Sequence, residues 1–144
     1  MNITKVDTNL YRGPSPKTED DFKQLKDAGI KYILDLEIGP EFFGDGLPLT
    51  QSLCADSYGI RSYSHPLGQV LPPTKQETDL AIDFMIMKQF FGPVYIHCKK
   101  GVDRTGFCIG RYRMKVNGWT KAQAVKEMYD MGMSFQLKWW AWFL

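Results

Sequence analysis

Several features that mark other protein classes are missing from this sequence. No apolar run is long enough to span a bilayer, and the N-terminus lacks the basic and then apolar segment of a secretory signal. The three cysteines, Cys54, Cys98 and Cys108, are odd in number and stand at no metal-ligand spacing. The formal net charge of +2 is too small to indicate nucleic-acid binding by itself. We therefore expect no transmembrane segment, no nucleic-acid partner and no metal site.

The sequence also lacks internal repeats, low-complexity tracts and linkers. Its 144 residues are 44% hydrophobic, which suits one domain with its own core, so we expect a single domain over residues 1–144. If one of the cysteines is a nucleophile, a reducing, cytoplasmic compartment is favoured. A signal peptide removed earlier would leave no trace in this sequence.

The positive charge that is present concentrates in one stretch, Val94 to Gly106. A short apolar run leads into Cys98, five residues separate Cys98 from Arg104, and a helix-like sequence follows. This order predicts a strand, a tight loop and a helix N-terminus.

The predicted loop suits a tetrahedral anion. Its backbone N–H groups can turn inward as a ring of donors, and the helix adds the positive end of its dipole. Arg104 can grip two anion oxygens with its planar fork. The residues expected to bind the anion are Lys99, Lys100, Gly101, Val102, Asp103 and Arg104. Cys98 would lie beneath the anion, where the same field favours thiolate over thiol and so creates a nucleophile. A buried structural cysteine beside a helix cap is the alternative, but it leaves the charged run unexplained.

The same residues resemble a known signature. His97-Cys98, followed after five residues by Arg104-Thr105-Gly106, is similar to the motif of the protein tyrosine and dual-specificity phosphatase superfamily. The order around Leu10-Tyr11-Arg12-Gly13 resembles the start of atypical dual-specificity phosphatases, most of all the branch with plant and fungal inositol-pyrophosphate phosphatases. The end of the motif, Asp103-Arg104-Thr105, resembles myotubularins, Sac-type phosphoinositide phosphatases and a group of bacterial phosphatases.

This resemblance implies a mechanism and several residue roles. Cys98 would attack phosphorus to form a phosphocysteine, which water then hydrolyses, with no metal or cofactor. Thr105 resembles the hydroxyl that hydrogen-bonds the cysteine sulfur and helps it leave, although Thr105 as a plain helix residue stays open. His97 resembles the residue that orders the loop and favours the thiolate.

The elements predicted from the residues agree with that superfamily. Strands are expected at residues 9–12, 31–36 and 60–63 and in the run into Cys98. Helices are expected at residues 19–28, 49–58, 75–90, 105–116 and 121–131, and after Ser134, with Thr18, Thr74, Thr120 and Ser134 as N-caps. Strands that alternate with helices predict an α/β fold with a largely parallel sheet and helices on both faces. The resemblance implies four or five strands.

The general acid is the main departure from the superfamily pattern. Dual-specificity phosphatases carry an aspartic acid in the loop before the long helix, but residues 65–73 contain no carboxylate. Asp103 is our first candidate, because it adjoins Arg104 and resembles the aspartate given this role in myotubularins. Against it, Asp103 can simply cap the following helix, and Arg104 favours its ionised form. His65 and Asp45 are the rivals.

The substrate class is predicted from the extra lysines. Lys99 and Lys100 beside Arg104 suit a substrate with several phosphates, such as an inositol phosphate or its lipid, unless both lysines face only solvent. A protein tyrosine or dual-specificity phosphatase acting on a phosphoprotein is the alternative, and a phospho-ligand binding module without turnover is a second. Two aromatic stretches are also of interest: the loop with Glu41, Phe42, Phe43 and Asp45 as a pocket edge, and Trp139, Trp140, Trp142 and Phe143 in the last helix. We expect that helix to pack on the domain, with a membrane surface as the alternative.

Overall fold

The structure is a computed structural model that describes residues 1–37, 48–68 and 70–144. The bounds of its strands and helices within those residues are β1 Thr4–Asp7, β2 Leu10–Gly13, α1 Glu19–Asp27, β3 Tyr32–Asp35, α2 Pro48–Ser57, β4 Arg61–Ser64, α3 Lys75–Gln89, β5 Val94–His97, α4 Asp103–Val116 and α5 Lys121–Asp130. A 3₁₀ helix, Phe135–Phe143, follows α5 and is called the C-terminal segment below.

The strands form one mixed sheet in the order β1-β2-β5-β3-β4. The pairs β2–β5, β5–β3 and β3–β4 are parallel, and only β1 runs antiparallel, against β2. The predicted α/β fold with a largely parallel five-stranded sheet is therefore confirmed. β1 was not predicted, because Thr4-Lys5-Val6-Asp7 carries a single aliphatic residue and lies at the sheet edge.

The sheet divides the core into two layers, because successive side chains along β5 point to opposite faces of the sheet. Val94 and Ile96 face one layer, where they join Ile82 of α3 and Ile109 of α4 in one buried cluster. Tyr95 faces the other layer, in a cluster with residues of α1 and α2 such as Phe22 and Ala55. Both faces are thus covered, and β5 is buried along its whole length.

The predicted threonine caps of three helices are present. Thr18, Thr74 and Thr120 each accept a hydrogen bond from the backbone N–H three residues later, and a side chain at that position bonds back to the cap. These reciprocal capping boxes explain why α1, α3 and α5 begin where the sequence predicted.

α3 packs on the core through residues such as Ile82 and Met85, whereas Leu80 and Met87 are 57% and 52% exposed, so its apolar face is narrow. One helix start differs from the expected one. α4 begins at Asp103, two residues earlier than expected, because the loop backbone turns directly into its first helical turn.

The C-terminal segment differs from the predicted α-helix. It is a 3₁₀ helix, and the Ser134 side chain makes no cap hydrogen bond. Trp140 packs on the domain, fully buried and edge-on to Phe107 at 5.9 Å between ring centroids, whereas Trp142 is 83% exposed. Within the residues that the structure describes, no helix combines the length and the apolar character needed to cross a membrane.

Candidate active site

The predicted strand, loop and helix N-terminus are all observed around Cys98. β5 ends at His97 and α4 begins at Asp103; residues 98–103, which are the connection and the first residue of α4, are called the Cys98 loop. A cavity of about 140 Å³ opens at the loop, at the carboxyl end of the central strand, where α/β folds bind ligands. Its lining residues are Cys98, Lys99, Lys100, Asp103, Arg104, Leu137 and Trp140. The first five were named from the sequence, and the last two come from the C-terminal segment.

The Cys98 loop is held against the end of β2. The N–H of Ser15 donates to the carbonyl of Lys99 at 3.2 Å, and the guanidinium of Arg12 donates to the carbonyl of Gly101 at 3.0 Å. Gly101 has φ +74°, and a Cβ there would lie 2.1 Å from the carbonyl oxygen of Gly13. A glycine is therefore required at this position, both for its backbone conformation and for the close approach.

Arg104 is held in place by two neighbouring chain segments. Its side chain is 5% exposed, and its NH1 group donates to the carbonyls of Leu36 and Leu67, both at the long distance of 3.4 Å. Leu36 follows β3 and Leu67 follows β4, so the carboxyl ends of these strands fix one end of the guanidinium. The side chain also lines the cavity, where its planar fork can meet an oxyanion.

Asp103 lines the same cavity, but its carboxylate is engaged. Oδ1 accepts a hydrogen bond from the N–H of Ser134 at 2.7 Å, and Oδ2 accepts one from the Ser134 hydroxyl at 2.8 Å. Ser134 therefore joins Asp103 to the C-terminal segment instead of capping it. Asp103 is the first residue of α4 and does not act as its N-cap, a position that Val102 occupies without a side-chain hydrogen bond.

Thr105 lies directly after Arg104 and is completely buried. Its hydroxyl makes no hydrogen bond with any group in the described part of the chain. The contact with the sulfur of Cys98 that the sequence suggested is therefore not formed here, and the role of Thr105 stays a prediction.

His97 lies in a buried cluster with two acids that sequence reasoning missed. Its Nδ1 is 3.8 Å from Asp35 Oδ1, 3.5 Å from Glu37 Oε1 and 3.3 Å from the carbonyl oxygen of Cys98. The parallel register that pairs Asp35 with His97 brings the end of β3 beside the Cys98 loop. The sequence does carry a signal for these two acids, because two carboxylates flank Leu36 at the end of an apolar strand.

The two acids of this cluster differ electrostatically. Burial raises the pKa of Asp35 above its usual value, although His97 and the N–H of Glu37 oppose the shift. For Glu37, partial burial acts to raise the pKa, but hydrogen bonds with His97 and Ser15 and the nearby charge of Arg104 lower it by more. The pKa of Glu37 is therefore below its usual value. One ligand atom from each of Asp35, Glu37 and His97 lies within 4.8 Å of the others, so these are the residues that could hold a metal ion. Without a metal ion, the contacts of Nδ1 with Asp35 and Glu37 still hold the imidazole ring of His97 in place.

The rival acids and the other cysteines lie apart from the cavity or outside the described residues. His65 places Nε2 2.8 Å from the carbonyl oxygen of Glu77 and is not among the described residues that line the cavity. Asp45, together with residues 41–43, lies outside the described residues. Cys108 is buried in α4, as predicted, and burial raises the pKa of its thiol to about 12, which makes it unreactive near neutral pH.

A largely parallel sheet, with a cysteine on the loop after its central strand and an arginine in the first turn of the next helix, defines a class of anion-binding sites. A family comparison identifies the class. Residues 8–117 match the family described as "Polymorphic toxin system, DSP-PTPase phosphatase". Because the match covers more than half of the chain, the protein belongs to this family of dual-specificity-type phosphatases.

Individual relatives agree with this membership. Inositol diphosphatase DSP3 of Arabidopsis thaliana is 29% identical over 129 residues, which cover 88% of this chain and 60% of the relative. The dual specificity protein phosphatase TpbA of Pseudomonas aeruginosa is 49% identical over 41 residues, covering 28% of this chain and 19% of TpbA. This chain thus spans less than two thirds of the length of these curated relatives.

Solved structures share the fold. The crystal structure of TpbA has a TM-score of 0.81 and 21% identity, covering 99% of this chain and 83% of that one. The catalytic core of Siw14 has a TM-score of 0.79 and 20% identity, covering 98% and 81%. These structures confirm the fold expected from the sequence, and the family match confirms the expected superfamily.

Proposed function

We propose that this protein hydrolyses phosphate monoesters through a phosphocysteine intermediate. Cys98 Sγ attacks phosphorus, a sulfur–phosphorus bond forms, and the bond to the ester oxygen breaks. The leaving oxygen takes a proton from a general acid, for which Asp103 is the candidate at the cavity. Water then attacks phosphorus, the thiolate leaves, and inorganic phosphate is released.

The Cys98 loop supplies the electrostatic part of this reaction. Charge accumulates on the non-bridging oxygens of the transferring phosphoryl group, and fixed donors around those oxygens lower the barrier. Arg104, which lines the cavity, and the amides at the start of α4 would be those donors. Cys98, 2% exposed and on the cavity wall, is the single observation on which the covalent mechanism rests most heavily.

Inositol phosphates or phosphoinositides are the substrates that we favour. At about 140 Å³ the cavity is smaller than a typical ligand pocket of roughly 300–1,000 Å³, so it suits one phosphate group with part of its carrier. Lys99 and Lys100 line this cavity and are also exposed, so further phosphates of the same molecule would meet them at its mouth. Two related proteins are named for inositol compounds, inositol diphosphatase DSP3 and the PP-IP phosphatase SIW14 of S. cerevisiae.

Phosphotyrosine is the second candidate, and the cavity wall favours it. Leu137 and Trp140 offer an apolar surface opposite the cationic loop, which suits an aromatic leaving group. A Cys-to-Ser variant of TpbA has been crystallised with phosphotyrosine and has a TM-score of 0.78 to this chain.

Phosphate release from three substrates, measured side by side, tests the proposal. The set is an inositol pyrophosphate, a phosphoinositide in vesicles and a phosphotyrosine peptide, each with the unmodified protein and with Cys98→Ser. We expect turnover to vanish in Cys98→Ser while inorganic phosphate still binds, because the amides and Arg104 remain. Undiminished hydrolysis by Cys98→Ser would exclude the phosphocysteine route. Phosphate binding without turnover by the unmodified protein would identify a phospho-ligand binding module.

A further inference from the structure

The Cys98 loop is supported from behind by a buried arginine of β2. The Arg12 side chain is 2% exposed. Its NH2 group donates to the carbonyl of Gly101 at 3.0 Å and to that of Val102 at 3.4 Å. A Cβ at Gly106 would lie 3.4 Å from the same NH2 group, so the guanidinium also packs against the first turn of α4.

These hydrogen bonds determine the direction of two loop amides. In a trans peptide the C=O of one residue and the N–H of the next point in opposite directions. The carbonyl of Gly101 points toward Arg12, so the N–H of Val102 in the same peptide points away from Arg12. The carbonyl of Val102 also points toward Arg12, so the N–H of Asp103 points away from it as well. Arg12 contacts the loop through these two carbonyls but is not among the described residues that line the cavity, so its guanidinium supports the loop from outside the cavity. Amides directed away from Arg12 face the side where an anion would bind.

Arg12 has no ion-pair partner in the part of the chain that the structure describes. Within residues 1–37, 48–68 and 70–144 its Nε is also buried without a hydrogen-bond partner. Burial lowers the pKa of Arg12 below its usual value, and the negative charges of Glu127 and Cys98 partly offset this effect. A desolvated cation without a paired anion is costly, so an anion bound in the loop would supply the charge that is missing.

We propose that Arg12 is a positioning residue for phosphate binding: it directs the amides of Val102 and Asp103 toward the anion and places a positive charge behind them. The inference rests on the proposed function, because it requires that the Cys98 loop bind a phosphate group. Arg12 itself does not touch the substrate.

Binding of inorganic phosphate, measured by isothermal titration calorimetry, tests this role without requiring turnover. Arg12→Met removes the charge and the donors with little change in side-chain length, whereas Arg12→Lys retains the charge without the planar fork. Arg111→Met is the matched control, because Arg111 is a partly buried arginine of α4 that donates to the Thr78 hydroxyl at 2.7 Å and to the carbonyl of Phe143, and it is not among the described residues that line the cavity. Each variant is also melted with and without phosphate.

We expect Arg12→Met to weaken phosphate binding on the order of tenfold or more, as for a lost charge-assisted bond at a buried site. Arg12→Lys should weaken binding less, and Arg111→Met should lower the thermal midpoint while keeping the affinity of the unmodified protein. Unchanged phosphate affinity in folded Arg12→Met overturns the inference, whatever its thermal midpoint. If Arg12→Met does not fold, unchanged affinity in Arg12→Lys overturns it. If the unmodified protein does not bind phosphate, both this inference and the proposed function fail. If it binds phosphate and folded Arg12→Met binds equally well, only this inference fails, so the two failures are distinguishable.

Discussion

Replacing Asp103 by asparagine separates two roles that the structure allows for this carboxylate. As a general acid, Asp103 would protonate the leaving oxygen, a contribution of roughly 10²–10⁴-fold for a poor leaving group such as an inositol alkoxide. For para-nitrophenyl phosphate, whose leaving group needs no proton, the contribution should nearly vanish. We therefore expect Asp103→Asn to slow an inositol phosphate at least about a hundredfold more than para-nitrophenyl phosphate.

As a tether, Asp103 holds the C-terminal segment through Ser134. Asparagine retains one oxygen, so Asp103→Asn keeps at most one of the two hydrogen bonds that Asp103 accepts from Ser134, at 2.7 and 2.8 Å. Losing one bond to a charged acceptor would cost about 1.5–3 kcal/mol of stability. Because the segment carries Leu137 and Trp140 to the cavity, loosening it should slow both substrates by a similar factor.

Ser134→Ala is the matched control, because it removes one tether bond and leaves the carboxylate intact. The assay is kcat/KM for both substrates across pH, for Asp103→Asn, Ser134→Ala and the unmodified protein. A general acid also shapes the basic limb of the pH–rate profile, which a tether does not. If Asp103→Asn slows both substrates alike, as Ser134→Ala does, and leaves that limb unchanged, Asp103 is a tether. The acid would then be sought at His65 and Asp45.

Three further predictions follow from the site. Lys99→Ala combined with Lys100→Ala should raise KM for a polyphosphorylated inositol much more than for para-nitrophenyl phosphate, and equal effects would show that the lysines do not recognise extra phosphates. Gly101→Ala should abolish phosphate binding, measured by calorimetry, because its methyl group would lie 2.1 Å from the Gly13 carbonyl oxygen; retained binding would contradict this. Burial raises the pKa of Asp35, so its contribution to stability is complete below its unfolded-state pKa and is lost as pH rises through the folded value. Asp35→Asn should therefore flatten the decline of the free energy of unfolding as pH rises above the unfolded-state pKa of about 4, measured in urea; an unchanged slope would refute it.

Local sequence signals predicted most of the fold. The threonine caps and the apolar run into Cys98 fixed three helix starts and the central strand, because each depends on a few adjacent residues. The edge strand β1 was missed, since its four residues show no alternation and are ordered by pairing with β2. The 3₁₀ form of the C-terminal segment was missed for a similar reason: Ser134 has the composition of a cap, but its hydrogen bonds go to Asp103.

The same difference between local and long-range contacts decides which residues of the candidate site could be predicted. Residues of the Cys98 loop were predicted because they are contiguous in the chain, and because the five residues between Cys98 and Arg104 are typical of an anion-binding loop. Arg12, Asp35 and Glu37 were missed because they reach the loop from other strands, and only the register of the sheet brings them there. A charged residue in a short strand, as Arg12 is in β2, gives no sign from the sequence of which partner will bury it.

The supports of the Cys98 loop come from distant parts of the chain, and this has a consequence for folding kinetics. The bond from Arg12 to Gly101 spans 89 residues, and the bond from Arg104 to Leu36 spans 68. Contacts of such separation form only after most of the sheet has assembled. Phosphate that binds only the assembled loop should lengthen the lifetime of the native state and leave the refolding rate nearly unchanged. For this protein, inorganic phosphate in a buffer would therefore act as a kinetic stabiliser, visible as slower unfolding in urea jumps.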